Sequence, residues 1–384
     1  MFTGDAFAAA QGLLGARVLA RMFATSAGDP IVVTEELRPP AGAVAAIVPV
    51  LNERARLGDC LEGLIAQGRG LVQILVVDGG SSDGSQALTQ RYATRDARVQ
   101  LIDAAPVGAG WNGKAWGLAA GLAATDPHAT WILCLDADVR AQPHLVSSLL
   151  AHAAHAYCDA FSAAPLFELS DRHEAVVHPA LLTTLVYRYG LPGNVARTPR
   201  EAQANGQCFF ARRELLVRSR AFAAAKTSRC DDYTVARTLV AGGAQVGFFE
   251  GGRLARVAMY ASSAECWANW PRSLALWDAT TSRLRLAVAF AEIALVQALP
   301  LILVAAVAAK RARTDTFFFR VNLILSLARL GVLWGTRRAY ARVPFTYWLS
   351  PLCDLPALVR IVSATFEREP TWRGRKLVAE CRPA

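Results

Sequence analysis

At 384 residues the chain is long enough for one large domain or two. Hydrophobic residues make up 53% of it and charged ones only 19%, and the mean hydropathy of +0.27 is high for a soluble enzyme. The net charge of +10 is carried almost wholly by arginine, without a dense basic run interleaved with aromatics, which speaks against nucleic acid as a partner.

The apolar excess is uneven. Up to about residue 255, strand and helix patterns alternate with polar loops, whereas residues 286–366 are far more apolar, so a soluble-type domain followed by a membrane part is expected. Much of the basic excess (Arg283, Arg285, Lys310 to Arg313, Arg337, Arg338 and Arg342) flanks those apolar segments, where anionic lipid head groups attract it.

In chain order, Ala6 to Ala16 is mostly apolar, and the basic Arg17 and Arg21 follow it rather than precede it, unlike a signal peptide. That run is too short to span a bilayer comfortably, so residues 1–42 are expected to hold an amphipathic helix on the membrane surface and a linker through Asp29-Pro30 and Arg38-Pro39-Pro40. From residue 43 the pattern is regular. Val44–Val48 reads as a buried strand with the exit loop Pro49-Val50-Leu51-Asn52-Glu53, and Leu57, Leu61, Leu64 and Ile65 predict a helix over 54–67. A second strand, Val72–Val77, ends in Asp78-Gly79-Gly80-Ser81-Ser82-Asp83-Gly84-Ser85. A helix over 84–95, a strand at Val99–Ile102, a helix from Lys114 and a strand at Trp131–Leu135 follow.

This β-α-β-α-β succession predicts an α/β fold with a mostly parallel sheet and helices on both faces. Ligands bind such sheets outside the carboxyl ends of the strands. Every loop with concentrated polar chemistry (52–53, 78–85, 108–114, 136–138) falls at that end.

At the end of the fourth strand, Asp136-Ala137-Asp138 places two carboxylates on one side of an extended chain. They are either a polar strand end leading into the Gln142-Pro143 turn or ligands of a divalent cation that chelates a diphosphate. Asp78 is suited to accept hydrogen bonds from a base or ribose, with Asn52 and Glu53 beside it, while Asp83 reads as a helix cap. Gly110-Trp111-Asn112-Gly113-Lys114 sets one of only four lysines in a tight loop, able to pair with a diphosphate, although the full P-loop spacing is missing. Ala204 to Phe210 is a short strand with a polar lip. Asp231 and Asp232 open a helix (Thr234–Val240) that stops at Gly242-Gly243; they read as caps or as a general base for an acceptor hydroxyl. The eight cysteines and six histidines show no metal-ligand spacing and read as ordinary buried or surface residues.

Taken together and in order, Val48-Pro49-Val50-Leu51-Asn52-Glu53, Val76 to Ser85, Leu135 to Asp138, Gly206-Gln207 to Arg212-Arg213, and Asp231-Asp232-Tyr233 to Gly242-Gly243 resemble a family 2 glycosyltransferase of the GT-A fold over about residues 43–255. The variant Gly110 to Trp116, the apolar C-terminal part and the Thr371 to Arg375 tail are similar to a membrane-associated branch found with hopanoid and carotenoid biosynthesis. The resemblance implies inverting transfer from a UDP- or GDP-linked sugar, helped by Mg2+ or Mn2+. It assigns Asn52, Glu53 and Asp78 to the nucleoside, Asp136 to the ribose or sugar and Asp138 to the metal, and Pro49 and Lys114 are counted with them as nucleotide-sugar-binding residues. It assigns the base to the Asp231-Asp232 pair, with Asp232 preferred. Processive members carry Gln-x-x-Arg-Trp after the base, whereas this chain reads Glu265-Cys266-Trp267-Ala268-Asn269-Trp270-Pro271-Arg272. A single transfer to one acceptor is therefore expected.

Trp267, Trp270, Trp277 and Arg272 are expected to form an interfacial helix within 256–285, at head-group level. Gly206, Gln207, Trp267, Trp270 and Arg272 are candidates for the acceptor or diphosphate side. Membrane helices are expected over 286–366 and a polar tail over 367–384. Leu286–Ala309 is long enough to span but carries Glu292, Gln297 and Pro300. Phe317–Trp334 carries Arg320, Asn322 and Arg329, and Val343–Phe366, with Pro344, Pro351, Asp354 and Pro356, reads as re-entrant or interfacial. The basic loop at Lys310 conflicts with a cytosolic catalytic domain if the first segment crosses, and a hairpin lying shallowly in one leaflet is the alternative. The expected protein is a metal-dependent glycosyltransferase at a bacterial-type inner membrane, facing the cytosol, with an apolar isoprenoid alcohol as acceptor. The alternatives are transfer to a glycerolipid or polyprenyl phosphate, or a non-catalytic membrane protein that binds nucleotide sugars.

Overall fold

The first element, α1 (Phe2–Thr25), is followed by an alternating series: β1 (Ala43–Val50), α2 (Arg54–Ile65), β2 (Leu71–Asp78), α3 (Ser85–Ala93), β3 (Val99–Asp103), α4 (Gly113–Ala124) and β4 (Ala129–Leu135). Then come β5 (Val139–Ala141), α5 (Leu145–His155), β6 (Ala160–Ala164), β7 (Leu166–Phe167), α6 (Glu174–Tyr189), β8 (Asn194–Val195), β9 (Cys208–Arg212), α7 (Arg213–Ser219), α8 (Ala221–Ala224) and α9 (Asp231–Ala241). After β10 (Val246–Glu250), β11 (Ala255–Val257) and α10 (Ser263–Ser273), the C-terminal part consists of α11 (Arg283–Ala309), α12 (Phe317–Ala339) and α13 (Phe345–Phe366). The structure, a computed structural model, describes residues 2–26, 28–35, 43–274, 276, 281–310, 314, 316–367, 371–372 and 375–376. The expected Trp277 contribution lies outside them, as does most of the polar tail.

The main sheet runs β3-β2-β1-β4-β9-β6-β10-β8. Its first four strands are parallel, β9 is antiparallel to both β4 and β6, β10 is parallel to β6, and β8 closes the edge antiparallel to β10. β1 is apolar throughout and nearly all buried, as a strand covered on both faces must be. The small residues of α4 let it lie close on that strand: a Cβ at Gly121 would sit 2.4 Å from Ile47 Cγ2, and one at Gly117 would sit 3.3 Å from Pro49 Cβ. Trp131 of β4 stacks on Phe210 of β9 at 4.6 Å, which joins the parallel and mixed halves. A small second sheet, β5-β11-β7, closes below the end of β4.

Helices α11, α12 and α13 are each long and apolar enough to cross a membrane. Their buried polar residues find partners within the protein. Glu292 of α11 takes Arg21 at 2.8 Å and Arg17 at 3.2 Å. Gln297 donates to Ala180 O and to Asp354 Oδ1, at 3.0 and 2.9 Å. Arg329 forks onto both oxygens of Asp354 at 2.8 and 3.0 Å and reaches Ser350 Oγ at 2.9 Å. Replacing Asp354 by Ala strands a buried guanidinium, so a loss of about 3–5 kcal/mol is expected, read as a lower melting point in detergent. Asp354→Ala with Arg329→Leu is expected to recover part of it.

The expectation for α1 is corrected. Instead of standing apart as a separate surface element, it packs alongside α12, parallel to it. Phe7 meets Phe318 (6.2 Å between rings), Gln11 exchanges hydrogen bonds with Asn322 at 3.0 Å, and Gly15 lies under Leu325, where a Cβ would be 2.6 Å from Cδ2. Its polar residues thus satisfy polar residues of its neighbours. The last segment, α13, starts as a tight helix over Phe345–Cys353 and becomes α-helical at Asp354. Both ends of this segment are fastened to the α/β domain: Ala341 N donates to Phe167 O at 2.9 Å, and Arg229 donates to Ala364 O and Glu367 O at 3.2 and 2.8 Å.

Candidate functional site

The loops after β1 and β2 lock together. Asp78, fully buried at the end of β2, accepts at Oδ1 from Gly80 N, Ser81 N and Gln86 Nε2, each at 2.8 Å. Burial alone would raise its pKa, but these donors outweigh it and hold the carboxyl below the ordinary range. Its Oδ2 is buried without a partner among the described residues. Gly80 adopts φ +93°, a left-handed conformation that suits glycine and brings its N–H round to Asp78. Asn52 accepts from Ser82 N at 2.9 Å and donates its own N–H to Ser81 Oγ at 2.9 Å. Glu53 is buried beside it, 3.6 Å from Arg56. Asp83 binds Arg54 N and Ser85 N (2.8 and 3.0 Å), so it serves the two helix starts; the residue at the N-cap of α3 is Gly84.

A second cluster gathers where β4 ends. Lys114 Nζ lies 2.8 and 3.0 Å from the two oxygens of Asp136. Burial lowers the Lys114 pKa, but Asp136, Asp231 and Asp232 more than offset this, and the ammonium is held well above its usual range. The Lys114 loop is fixed to the segment leading into α9, through Asn112 N to Lys226 O (2.6 Å) and Asn112 Nδ2 to Ser228 O (3.0 Å). Trp116 is structural, donating to Ala104 O at 2.7 Å.

Asp138 is pushed up to about 7, by burial first and then by the charges of Asp136 and Glu53. Its Oδ1 is buried with no protein partner among the described residues. Asp232 is not used to cap α9. Its Oδ2 accepts from Gly206 N at 2.7 Å, and Oδ1 from Cys230 Sγ and its neighbour Tyr233 N, both at 2.9 Å. Burial and the Asp231 charge raise its pKa against the opposing pull of Lys114. A Cβ at Gly206 would sit 2.7 Å from Lys114 Nζ, so a side chain there would displace the ammonium.

A cavity of about 990 Å³ starts at this cluster. That is the upper end of the roughly 300–1,000 Å³ that holds one small ligand. Lys114, Asp136, Asp138, Gly206, Gln207, Asp231 and Asp232 line its polar end, with Trp270 and Arg272 alongside. Its other arm is walled by Leu182, Leu185 and Val186 of α6 and reaches α1 and α12. Pro49, Asn52, Glu53, Asp78 and Trp267 lie off the cavity. Pro49 packs under Gly117, and the Trp267 carbonyl takes Arg360 Nε at 3.2 Å.

The expectation of Trp270 at head-group level is corrected too. It is buried, with its ring 4.0 Å from His178, because α10 packs against α6. The α6 wall was not anticipated; its leucines look like any core stripe.

His178 itself is buried with Nδ1 2.9 Å from Tyr340 Oη, and burial pushes its pKa down to about 3. An unfolded histidine titrates near 6.5, so between those values the unfolded chain binds more protons and stability rises with pH. The stability is complete above about pH 6.5 and falls as pH drops toward 3, by about 2 kcal/mol at pH 5. Melting curves should show this slope, and His178→Phe should flatten it.

Residues 45–218 match the family model described as glycosyl transferase family 2. A curated relative, the uncharacterized glycosyltransferase EpsJ of Bacillus subtilis (strain 168), is 34% identical over 59 residues. The match covers 15% of this chain and only 17% of the relative's length. Among solved structures, the mannosyltransferase PcManGT from Pyrobaculum calidifontis, in complex with GDP-Man and Mn2+, superposes with a TM-score of 0.55 at 18% identity. The superposition covers 95% of this chain and 100% of that one. That likeness shows the fold, a GT-A α/β domain, followed in this chain by its three apolar helices.

Proposed function

With a glycosyl transferase family 2 domain over residues 45–218 as the premise, we propose that the chain is a membrane-bound inverting glycosyltransferase. It would move a sugar from a UDP- or GDP-linked donor to the hydroxyl of an apolar lipid, an isoprenoid alcohol of the carotenoid or hopanoid kind. The observation that carries this reading is the cavity, which joins an acidic polar end to an arm walled by apolar residues of α6, α1 and α12.

In this reading the nucleoside lies beside the cavity against the loops of Asn52, Glu53 and Asp78, with Lys114 at the diphosphate and Asp136 at the ribose or sugar. The acceptor oxygen attacks the anomeric carbon, the bond to the diphosphate breaks, and the electron pair leaves with the diphosphate. The hydroxyl proton passes to Asp232, whose carboxylate is held by Gly206 and Cys230 and made more basic by burial. Attack opposite the leaving group inverts the anomeric centre.

The residues fit a divalent cation, Mg2+ or Mn2+. Asp138 Oδ1 is buried without a partner among the described residues, and Asp136 stands beside it. Among the described residues no group of three or more His, Cys, Asp or Glu is arranged to hold an ion, so diphosphate and water oxygens would complete the set. When bound, the ion supplies charge stabilisation to the departing diphosphate.

A polyprenyl phosphate acceptor is the second reading, favoured by Arg272 and Arg338 in the cavity lining. Mass spectra of lipid extracts from a strain lacking the chain and from its parent test both. A hexose-bearing neutral lipid missing from the deletion strain supports the first reading, a missing glycosyl phospholipid the second, and identical extracts neither.

A further inference from the structure

We propose that the apolar arm of the cavity is a lateral portal between α1 and α12, and that the hydrocarbon chain of a neutral membrane alcohol lies there against the Ala328–Gly331–Gly335 face of α12. This rests on the glycosyl-transfer reading above. The arm is continuous with the polar end and is bounded by Leu19 and Met22 of α1 and by Ala328, Gly331 and Gly335 of α12. These three residues follow at helical spacing, so they share one face.

That face is continuous with a lipid-type surface. Ile324 and Leu327, one or two turns earlier, are 60% and 57% exposed, and Trp334 alongside is 59% exposed. Toward the α/β domain the face continues through Gly331 and Gly335, which are exposed and also line the cavity, to Arg338. Glycine inside a helix is unfavourable and is usually retained for close packing. Gly15 meets that description, since a Cβ would strike Leu325. Gly331 and Gly335 do not: a Cβ at either would meet no heavy atom within 4 Å. The space beside them is part of the cavity. Its occupant must be apolar along Leu182, Leu185 and Val186 and must carry a hydroxyl at the Asp232 end. Such a molecule would reach the polar end from the bilayer without passing through water.

The test uses the full chain in vesicles of phosphatidylethanolamine and phosphatidylglycerol containing a neutral polyisoprenoid alcohol, with UDP-glucose and GDP-mannose as donors. Gly331→Leu with Gly335→Leu should lower the ratio of lipid transfer to donor hydrolysis by about tenfold or more. The same variant given a short water-soluble alcohol should keep that ratio near wild type. Leu327→Phe, on the lipid-facing side but off the cavity, should transfer normally. Circular dichroism melts of each variant exclude misfolding as the cause. A double variant that glycosylates the embedded alcohol at the wild-type ratio overturns the portal alone. A wild-type chain that uses only soluble acceptors overturns both the portal and the lipid-acceptor reading.

Discussion

Replacing Asp232 by Asn is expected to lower glycosyl transfer by roughly 100- to 10,000-fold, the usual contribution of a positioned general base. Donor binding should change little, because Asp232 faces Gly206 and Cys230 rather than the Asn52 and Asp78 loops. The loss should therefore appear in kcat and not in the donor KM. Asn keeps the shape but can accept from only one of Gly206 N and Tyr233 N, so a melting curve accompanies the assay to separate lost chemistry from lost stability. Asp231→Asn should cost less. Both variants are to be measured at saturating donor with stopped-time assays. An unchanged kcat for Asp232→Asn, with a large loss for Asp231→Asn, would move the base by one residue.

The second large effect is at Asp138. Asp138→Ala should reduce transfer and donor hydrolysis together by about 100-fold or more, since a bound cation supplies several kcal/mol of charge stabilisation and each 1.4 kcal/mol is about a factor of ten. Calorimetric titration of Mn2+ into protein saturated with nucleotide diphosphate should lose its binding heat in the same variant. A fold-dependent artefact is controlled by Asp138→Asn, which preserves volume. Wild-type activity in Asp138→Ala would remove the metal assignment. Lys114 is expected to behave differently, because it neutralises Asp136 at 2.8 Å. Lys114→Met should weaken donor binding more than it slows turnover.

The parallel half of the sheet was legible because its strands are largely apolar runs, as in Val72–Val77 before Asp78, broken only by Gln73, or Trp131–Leu135 before Asp136. The polar loops at 52–53, 78–85 and 136–138 do converge on the carboxyl edge of β1, β2 and β4, and Lys114, Asp136 and Asp231-Asp232 meet in one cluster. The small second sheet was not legible in the same way. Val139–Ala141 and Leu166–Phe167 are too short to show any period and exist through their pairing with β11.

The polar residues of the apolar helices were misleading for a related reason. Glu292, Gln297 and Arg329 weaken a span read one helix at a time, and only the assembled helices supply Arg17, Arg21 and Asp354 as partners. Likewise α1 reads as a surface helix until Asn322 and Leu325 come to meet Gln11 and Gly15. The α6 wall of the cavity cannot be told from core by composition, because Leu182 and Leu185 differ from core leucines only in what lies beside them.

The central claim is that the carboxylate cluster and the apolar arm form one active site for a lipid acceptor. The most direct measurement incubates the purified chain with Mn2+, radiolabelled UDP-glucose or GDP-mannose and total bacterial membrane lipid, then partitions the label between chloroform and water. Label is expected in the chloroform phase and is abolished in Asp232→Asn. Label that stays wholly in water as free sugar or a soluble glycoside, with an active wild-type chain, would contradict it.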